Sequence, residues 1–300
     1  MSSSKKRRLL IIGSTGDVGS EVVRQLSSDK EIKTLAAVRR DDQAEAMRSL
    51  GVEPVHLELD DKDTIEKAVA GVDGILLMTG YSVDMLRQSK RVIDAAKRSG
   101  VDHIVHIGAS GADTSEVAHW GWHQMIEAYI EQLGFRYTHI RPEAYMQNVL
   151  KFGWLQNGAL VNLIGSARWS WVDSHDVAAI AVAALKDADG FNQQVWRLGY
   201  DAASIPDVAE KIGAQIGRQV DVAPLDPQVF YEGAVSAGAD ATYMACIRDQ
   251  FRLNAAGEIP NADQTFDSEA FERAVGRKPS TLQDFIEREA ENLERAAGAK

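Results

Sequence analysis

The sequence contains one cysteine, Cys246, and this scarcity limits what the chain can be. A single thiol forms no internal disulfide and supplies no cysteine cluster for a metal, which is typical of a protein of the reducing cytoplasm. The sequence also lacks an apolar run long enough to span a membrane. Apolar residues 9–12 lead directly into a glycine loop, so the basic N-terminus does not have the form of a signal peptide. We therefore expect a cytoplasmic protein with no membrane partner.

Positive charge is also in short supply, since 33 Lys and Arg stand against 44 Asp and Glu, giving a net charge of −11. No basic stripe occurs after the first eight residues, so nucleic acid is a poor partner on electrostatic grounds. The sequence has no Pro/Ser-rich linker and no internal repeat. Its 300 residues, 45% of them hydrophobic, suffice for a full α/β domain and a smaller lobe packed directly on it.

The sequence does contain a glycine-rich loop between a short apolar run and an amphipathic segment. Residues 9–12 are too few for a helix and predict a strand, whereas the apolar residues after the loop recur at helical spacing. In a strand, turn and helix of this kind, free amides and the positive end of the helix dipole hold a pyrophosphate. A glycine turn without a ligand is the alternative interpretation. The predicted cofactor-binding residues of the loop are Gly13, Ser14, Thr15, Gly16, Asp17, Val18 and Gly19.

Strands and helices alternate along the first half of the sequence at the spacing of βαβ units. This alternation predicts a Rossmann-type α/β fold, in which a doubly wound parallel sheet carries helices on both faces. Residues 1–8 are expected to form a flexible tail, 9–152 the NAD(P)-binding domain, and 153–300 a smaller mixed α/β substrate lobe. Ligands of such sheets bind beyond the carboxyl ends of the strands, which is where the polar and glycine clusters of this sequence fall.

The second predicted strand ends in two arginines, Arg39 and Arg40, about 20 residues after the glycine loop. An acid at this point accepts from the ribose 2′-hydroxyl of NAD, whereas arginine offers charge and a planar fork to a 2′-phosphate. The alternative is a pair of solvated arginines at a helix start, where cations are poorly placed. The pattern favours NADP(H) over NAD(H).

The next two strand ends complete the predicted cofactor site. Asp60 follows the third strand, where it either accepts from the adenine amino group or caps the next helix, and both interpretations stay open. Met78, Thr79 and Gly80 follow the fourth strand and are expected to border the adenosine and its ribose.

Four motifs together resemble the atypical short-chain dehydrogenase/reductases: GSTGDVG, VRR, LDD and RPEAYMQN, after strands one, two, three and six. Within that superfamily, the sequence is similar to the NmrA-like group with its NAD(P)H-dependent quinone and triphenylmethane dye reductases. The resemblance covers essentially the whole sequence and is strongest up to Asn148. It implies an NAD(P)-dependent oxidoreductase that binds NADP(H).

The resemblance also indicates where catalytic groups are to be sought. Ser110 matches the serine of the superfamily, but His119 and His123 stand where its Tyr-x-x-x-Lys pair would be, so that dyad is missing. His123 is predicted to hydrogen-bond the nicotinamide ribose or to pass a proton to the substrate, with a packed helix histidine as the alternative. Tyr145 lies where the resemblance places a loop beside the nicotinamide, and it is either a second proton donor or an aromatic wall. The predicted catalytic residues are His123, Ser110 and Tyr145.

A metal site is not expected from these histidines. His119 and His123 share one helix face at i, i+4 spacing, but no HExxH motif and no third ligand accompany them. Glu127, one turn further on, either orients His123 or pairs with a surface cation.

The sequence therefore predicts hydride transfer between NADP(H) and a small, largely apolar carbonyl, enone, quinone or imine. Five tryptophans would line a site for an aromatic substrate, although each is individually more typical of a core: Trp120, Trp122, Trp154, Trp169 and Trp171. The missing dyad supports an alternative, a non-catalytic NADP(H)-sensing regulator of the NmrA type. An isomerase with tightly bound cofactor is a third possibility. A monomer or a homodimer is expected.

Overall fold

The computed structural model describes residues 6–111 and 114–298, and these form thirteen strands and twelve α-helices. The strands are β1 (Arg7–Ile11), β2 (Ile32–Val38), β3 (Glu53–His56), β4 (Gly74–Leu77), β5 (His103–Ile107), β6 (Arg136–Pro142), β7 (Ala144–Tyr145), β8 (Leu155–Gln156), β9 (Ala159–Asn162), β10 (Arg168–Val172), β11 (Gln194–Leu198), β12 (Asp201–Ser204) and β13 (Asp221–Pro224). The helices are α1 (Asp17–Leu26), α2 (Asp41–Ser49), α3 (Lys62–Val69), α4 (Met85–Arg98), α5 (Ala118–Gln132), α6 (Ser174–Lys186), α7 (Ile205–Ile216), α8 (Pro227–Ser236), α9 (Ala241–Ala255), α10 (Ser268–Val275), α11 (Leu282–Arg288) and α12 (Ala290–Ala296).

The main sheet has seven strands in the order β3-β2-β1-β4-β5-β6-β11. The pairings from β3 to β6 are all parallel. The chain steps outward from β1 to β3 and then returns to place β4 on the other side of β1. This reversal of strand order is the point where doubly wound sheets bind ligands. The predicted Rossmann-type α/β class is confirmed.

The first strand begins two residues earlier than predicted, at Arg7. The Arg7 Nη1 donates to the carbonyl oxygen of Leu185 at 2.6 Å, and the Arg8 amide donates to the Asp73 carboxylate at 2.7 Å. Because these partners tie both arginines to the sheet, residues 7 and 8 are not part of a flexible tail. The remainder of the predicted tail, residues 1–5, lies outside the described residues.

The chain forms two compact units. The first comprises Met1–Ala109, Trp122–Arg141 and Val177–Trp196, and the second comprises Ser110–Gly121, Pro142–Asp176 and Arg197–Lys300. The chain thus passes between the units several times, whereas the predicted division at residue 152 crosses once. That division stays a proposal about function.

Two small sheets, β12-β10-β7 and β13-β9-β8, lie in the second unit. The second unit also has its own aromatic core, in which Trp154, Trp169 and Phe251 contact one another. Four of the five tryptophans are buried, so their interpretation as core residues is confirmed: Trp120, Trp154, Trp169 and Trp171. No helix within the described residues has the length and apolar character needed to cross a membrane.

Candidate cofactor-binding and active site

The glycine loop joins β1 to α1 at the reversal of strand order, and two of its glycines are required by the fold itself. Gly13 has φ of +80°, and a Cβ there would lie 2.8 Å from the Met78 Cε. A Cβ at Gly19 would lie only 2.1 Å from the Gly13 carbonyl oxygen. At Gly13 the positive φ is what disfavours any other residue. At Gly19 the contact is with backbone, which cannot yield cheaply, so this glycine lets α1 pack directly on the end of β1.

Gly16 differs because, among the described residues, an added side chain would meet no close contact there. Its backbone is extended, with φ −84° and ψ 175°, and an added Cβ would meet only the Gly13 carbonyl oxygen at 3.5 Å. Gly16 is also the N-cap of α1 and supplies no side-chain cap to the first turn of the helix. Gly16 itself is exposed, and a helix end of this kind carries the amides and the dipole that suit an anion.

Among the other loop residues, some have buried side chains and others have exposed ones. The Ser14 hydroxyl is buried and donates to the Ala37 carbonyl oxygen of β2 at 2.6 Å, so this side chain fastens the loop to the sheet. Val18 is likewise buried, in the core under α1. The side chains of these two residues are therefore not available to a cofactor. Thr15 and Asp17 have exposed side chains.

Arg39 and Arg40 follow β2 as predicted, but their surroundings differ. Gln43 accepts from both backbone amides, at 3.1 and 3.2 Å, and so orders this strand end. The Arg40 guanidinium pairs with Asp42 at 2.9 and 3.0 Å, so both of its bonded nitrogens already have an anionic partner. Within the described part of the chain, the exposed Arg39 guanidinium has no ion pair or hydrogen bond. Arg39 is thus the better placed cation for a phosphate.

Asp60 does not cap α3. The N-cap is Asp61, whose carboxylate accepts from the Asp63 amide at 2.9 Å. Asp60 instead pairs with Arg87 of α4 at 2.8 Å, and Arg91 lies 3.5 Å from the same oxygen. The helix-cap interpretation is therefore wrong, while the adenine-binding role of Asp60 stays a prediction.

The end of β4 borders the glycine loop. Met78 is half-buried, and its side chain approaches Gly13 closely. Thr79 is also half-buried and Gly80 is exposed. The three predicted residues are thus at the strand end that adjoins the loop in the sheet order.

His123 of α5 contacts a second histidine that sequence reasoning did not select. Its Nδ1 lies 3.4 Å from the Nε2 of His106 on β5, with the ring centroids 5.4 Å apart. His106 is paired in register with His139 of β6, and both are buried. Burial lowers the pKa of His106 well below 6.5, and it lowers that of His139 to about 3. A single sequence does not reveal this cluster because it depends on the register of two strands.

Glu127 pairs with a cation, but that cation is largely buried and does not lie at the surface; the role of Glu127 in orienting His123 stays a prediction. Its carboxylate is buried and accepts from Arg141 of β6, with contacts of 2.5 and 3.1 Å. Potential ligand atoms of His106, Glu127 and His139 lie within 4.8 Å of one another. Because Arg141 already engages both oxygens of Glu127, we interpret Glu127 as the anion of a buried ion pair and not as a metal ligand. The partners of His119 are instead aromatic, namely Trp120 and Tyr243 in the second unit.

The other two predicted catalytic residues, Ser110 and Tyr145, belong to the second unit. Ser110 is buried and hydrogen-bonds to Glu143, a residue that sequence reasoning missed. Burial raises the pKa of Glu143, although Arg197 opposes this from 2.9 Å. The position of Glu143 directly after Pro142, at the end of β6, was the signal in the sequence that could have identified it. Tyr145 is half-buried and pairs in register with Val172 of β10.

The whole arrangement agrees with a family assignment. The model of the NmrA-like family matches residues 5–286, and the chain belongs to this family. It is 32% identical to the NAD(P)H azoreductase of Xenophilus azovorans over 71% of this chain and 75% of the relative. It is 25% identical to quinone oxidoreductase 2 of Escherichia coli over 93% of this chain and 97% of the relative.

Solved structures show the same fold. Triphenylmethane reductase of Citrobacter sp., complexed with NADP(H), superposes with a TM-score of 0.76 at 22% identity, over 94% of this chain and 99% of that one. NmrA, a negative transcriptional regulator, in complex with NADP, gives a TM-score of 0.77 at 16% identity, over 99% of both chains. The predicted resemblance to the NmrA-like group and its quinone and dye reductases is confirmed.

Proposed function

We propose that this protein is an NADP(H)-dependent oxidoreductase. The observation that carries the proposal is Gly16, a glycine at a helix N-terminus where, within the described part of the chain, an added Cβ would meet only the Gly13 carbonyl oxygen. A pyrophosphate in front of this helix would explain the missing side chain, since any Cβ would occupy its place. Oxidoreductases among the family relatives support the same assignment.

NADP(H) is the proposed form of the cofactor, and Arg39 is the proposed contact to its 2′-phosphate. An exposed guanidinium at the end of β2 is free to form a charge-assisted, bidentate contact with that phosphate. The adenosine is proposed to lie against Asp60 and the end of β4.

The proposed reaction is hydride transfer to or from a small, largely apolar carbonyl, enone, quinone or imine. Azo compounds join this class because one relative is named an NAD(P)H azoreductase. When bound, the nicotinamide supplies or accepts the hydride at C4. His123 is proposed to hold the cofactor or the acceptor by a hydrogen bond, and Ser110 and Tyr145 are proposed to contact the acceptor. The one free cysteine, Cys246, supports the reducing cytoplasm as the proposed location.

A regulator that binds NADP(H) without reducing anything is the second candidate. The missing Tyr-Lys dyad favours it, and the transcriptional regulator NmrA shares the fold. Such a sensor must bind oxidised and reduced cofactor unequally, because only a difference in affinity can switch a partner.

The two candidates are separated by measuring NADPH oxidation against a panel of quinones, azo dyes, enones, aldehydes and imines. The enzyme proposal predicts turnover with at least one acceptor. It also predicts that His123→Ala lowers kcat more than it weakens NADPH binding, because His123 aligns the transfer. No turnover with any acceptor, together with unequal binding of NADP⁺ and NADPH, would favour the sensor.

A further inference from the structure

The cluster around His106 bears on how His123 acts. His106 on β5 is 2% exposed. It is paired in register with His139 on the adjacent strand β6. Among the described residues, the Nδ1 of His106 is buried without a hydrogen-bond partner. Its other ring nitrogen, Nε2, faces the Nδ1 of His123 at 3.4 Å. His106 therefore makes its ring hydrogen bond on one side only.

Because burial keeps His106 neutral at ordinary pH, its ring carries a single proton. Two arrangements of the pair are then possible. In one, Nε2–H of His106 donates to Nδ1 of His123, and the buried Nδ1 of His106 is an unpartnered acceptor. In the other, His123 donates and the buried Nδ1 of His106 is an unpartnered N–H donor. Buried N–H groups without an acceptor are the rarer defect, so the first arrangement is favoured.

We propose that His106 donates to the Nδ1 of His123 and thereby fixes His123 as the tautomer whose proton is on Nε2. His106 is then a positioning residue, since the hydrogen bond at one imidazole nitrogen determines which nitrogen carries the proton. The consequence for activity depends on the proposed function. His123 presents an N–H donor that holds or polarises the cofactor or the acceptor.

This tautomer also limits the chemistry of His123. A neutral imidazole that lost its Nε2 proton would become an imidazolate, which is not accessible near neutral pH. His123 therefore acts as a neutral hydrogen-bond donor and does not release a proton. The proton that accompanies hydride transfer comes from another group or from water.

The test is nitrogen-15 NMR of the full chain labelled at histidine, in which two-bond proton–nitrogen correlations report the protonated ring nitrogen. His123 is assigned by comparison with His123→Gln. We expect His123 in the Nε2–H form in the wild type, and a shift towards the Nδ1–H form in His106→Phe, which keeps an apolar ring but removes the donor. A matched control is His103→Phe, because His103 is equally buried but lies on the opposite face of β5.

The proposal is overturned if wild-type His123 carries its proton on Nδ1, or if His106→Phe leaves the tautomer unchanged. His106→Gln, which retains an N–H donor, should restore the wild-type tautomer at least in part, and it provides a second test if the Phe variant does not fold. In the kinetic assay, His106→Phe should lower kcat by about 10-fold or more, with the KM for NADPH nearly unchanged. Absence of turnover in the wild type would contradict the proposed function alone, because the NMR result does not depend on activity.

Discussion

The strand ends at β1 and β2 use their polar groups differently from those at β5 and β6. At the first pair, the helix end at Gly16 is open and the Arg39 guanidinium is exposed. At the second pair, polar side chains are buried and contact one another, with Glu127 bound to Arg141 and His106 against His123. One region presents polar groups to the surface, while the other buries its polar side chains against one another.

This difference indicates that the two parts of the sheet have different roles. Exposed amides and a solvated cation cost little free energy when no ligand is bound, so they are suited to bind an anion reversibly. A buried ion pair is costly to break, because removing either partner leaves an unpaired charge in the interior. We infer that the second region holds a fixed geometry, and that His123 at its margin is the side chain it orients.

The largest effects are expected at the glycine loop, where Gly16 and Gly19 should separate binding from stability. Gly16→Val should weaken NADPH binding by about 100-fold or more, because the side chain fills the proposed pyrophosphate position. Its unfolding free energy should change little, since the extended backbone of Gly16 accepts a branched residue. Fluorescence titration and chemical denaturation measure the two quantities.

Gly19→Ala is the matched control for this prediction. Its added Cβ would overlap the Gly13 carbonyl oxygen, so the expected result is a loss of stability of about 3 kcal/mol or more. If Gly16→Val is folded and binds NADPH normally, the open helix end is a turn without a ligand.

A smaller effect should distinguish the two arginines after β2. Arg39→Ala should lower the preference for NADPH over NADH by about 10- to 100-fold, since one charge-assisted contact contributes roughly 1.5–3 kcal/mol. Arg40→Ala should have a weaker effect, because Asp42 already pairs with Arg40. Titrating both cofactors against both variants measures this. Equal affinity of the wild type for the two cofactors would rule out the phosphate contact.

A gradual effect, spread over several pH units, concerns the buried histidines: the free energy of unfolding should depend on pH. The pKa of His139 is about 3 in the folded protein because of burial and the nearby Arg141, against about 6.5 when unfolded. Because the pKa of His139 is lower in the folded protein than in the unfolded chain, its contribution to the free energy of unfolding is complete above pH 6.5. That contribution is lost as the pH falls towards 3. The slope is at most about 1.4 kcal/mol per pH unit.

His139→Phe removes this titrating ring and should flatten the fall in unfolding free energy between pH 6.5 and 4. Denaturant unfolding at several pH values measures the slope for both proteins. An unchanged slope would show that His139 does not contribute, and the remaining dependence would be assigned to the other buried histidines, such as His103.

The polar groups at the ends of β1 and β2 could be predicted from the sequence because their signals are local. The run GSTGDVG lies within a single turn, and Arg39 follows a recognisable strand. Alternating strands and helices likewise predicted the sheet, since the period of apolar residues depends only on neighbours along the chain. The cap interpretation of Asp60, one of two left open, was off by one residue, because two consecutive aspartates offer the same capping group.

The buried polar side chains near the ends of β5 and β6 could not be predicted in the same way. His106 and Glu143 gain their surroundings from strand register and from burial against distant residues, such as His139 and Arg197. A surface cation was one of two partners predicted for Glu127, but β6 places Arg141 beside it in the interior. A single sequence contains no signal for such pairings over long separations.

The most direct test of the account uses NADPH deuterated at either face of C4, in single-turnover oxidation by an acceptor that the panel identifies. If the protein orients bound NADPH for hydride transfer, one deuterated form should react more slowly than unlabelled NADPH and the other should react at the unlabelled rate. The claim that the protein orients bound NADPH for hydride transfer would be contradicted in two cases. Either no acceptor oxidises bound NADPH, or unlabelled NADPH and both deuterated forms react at the same rate.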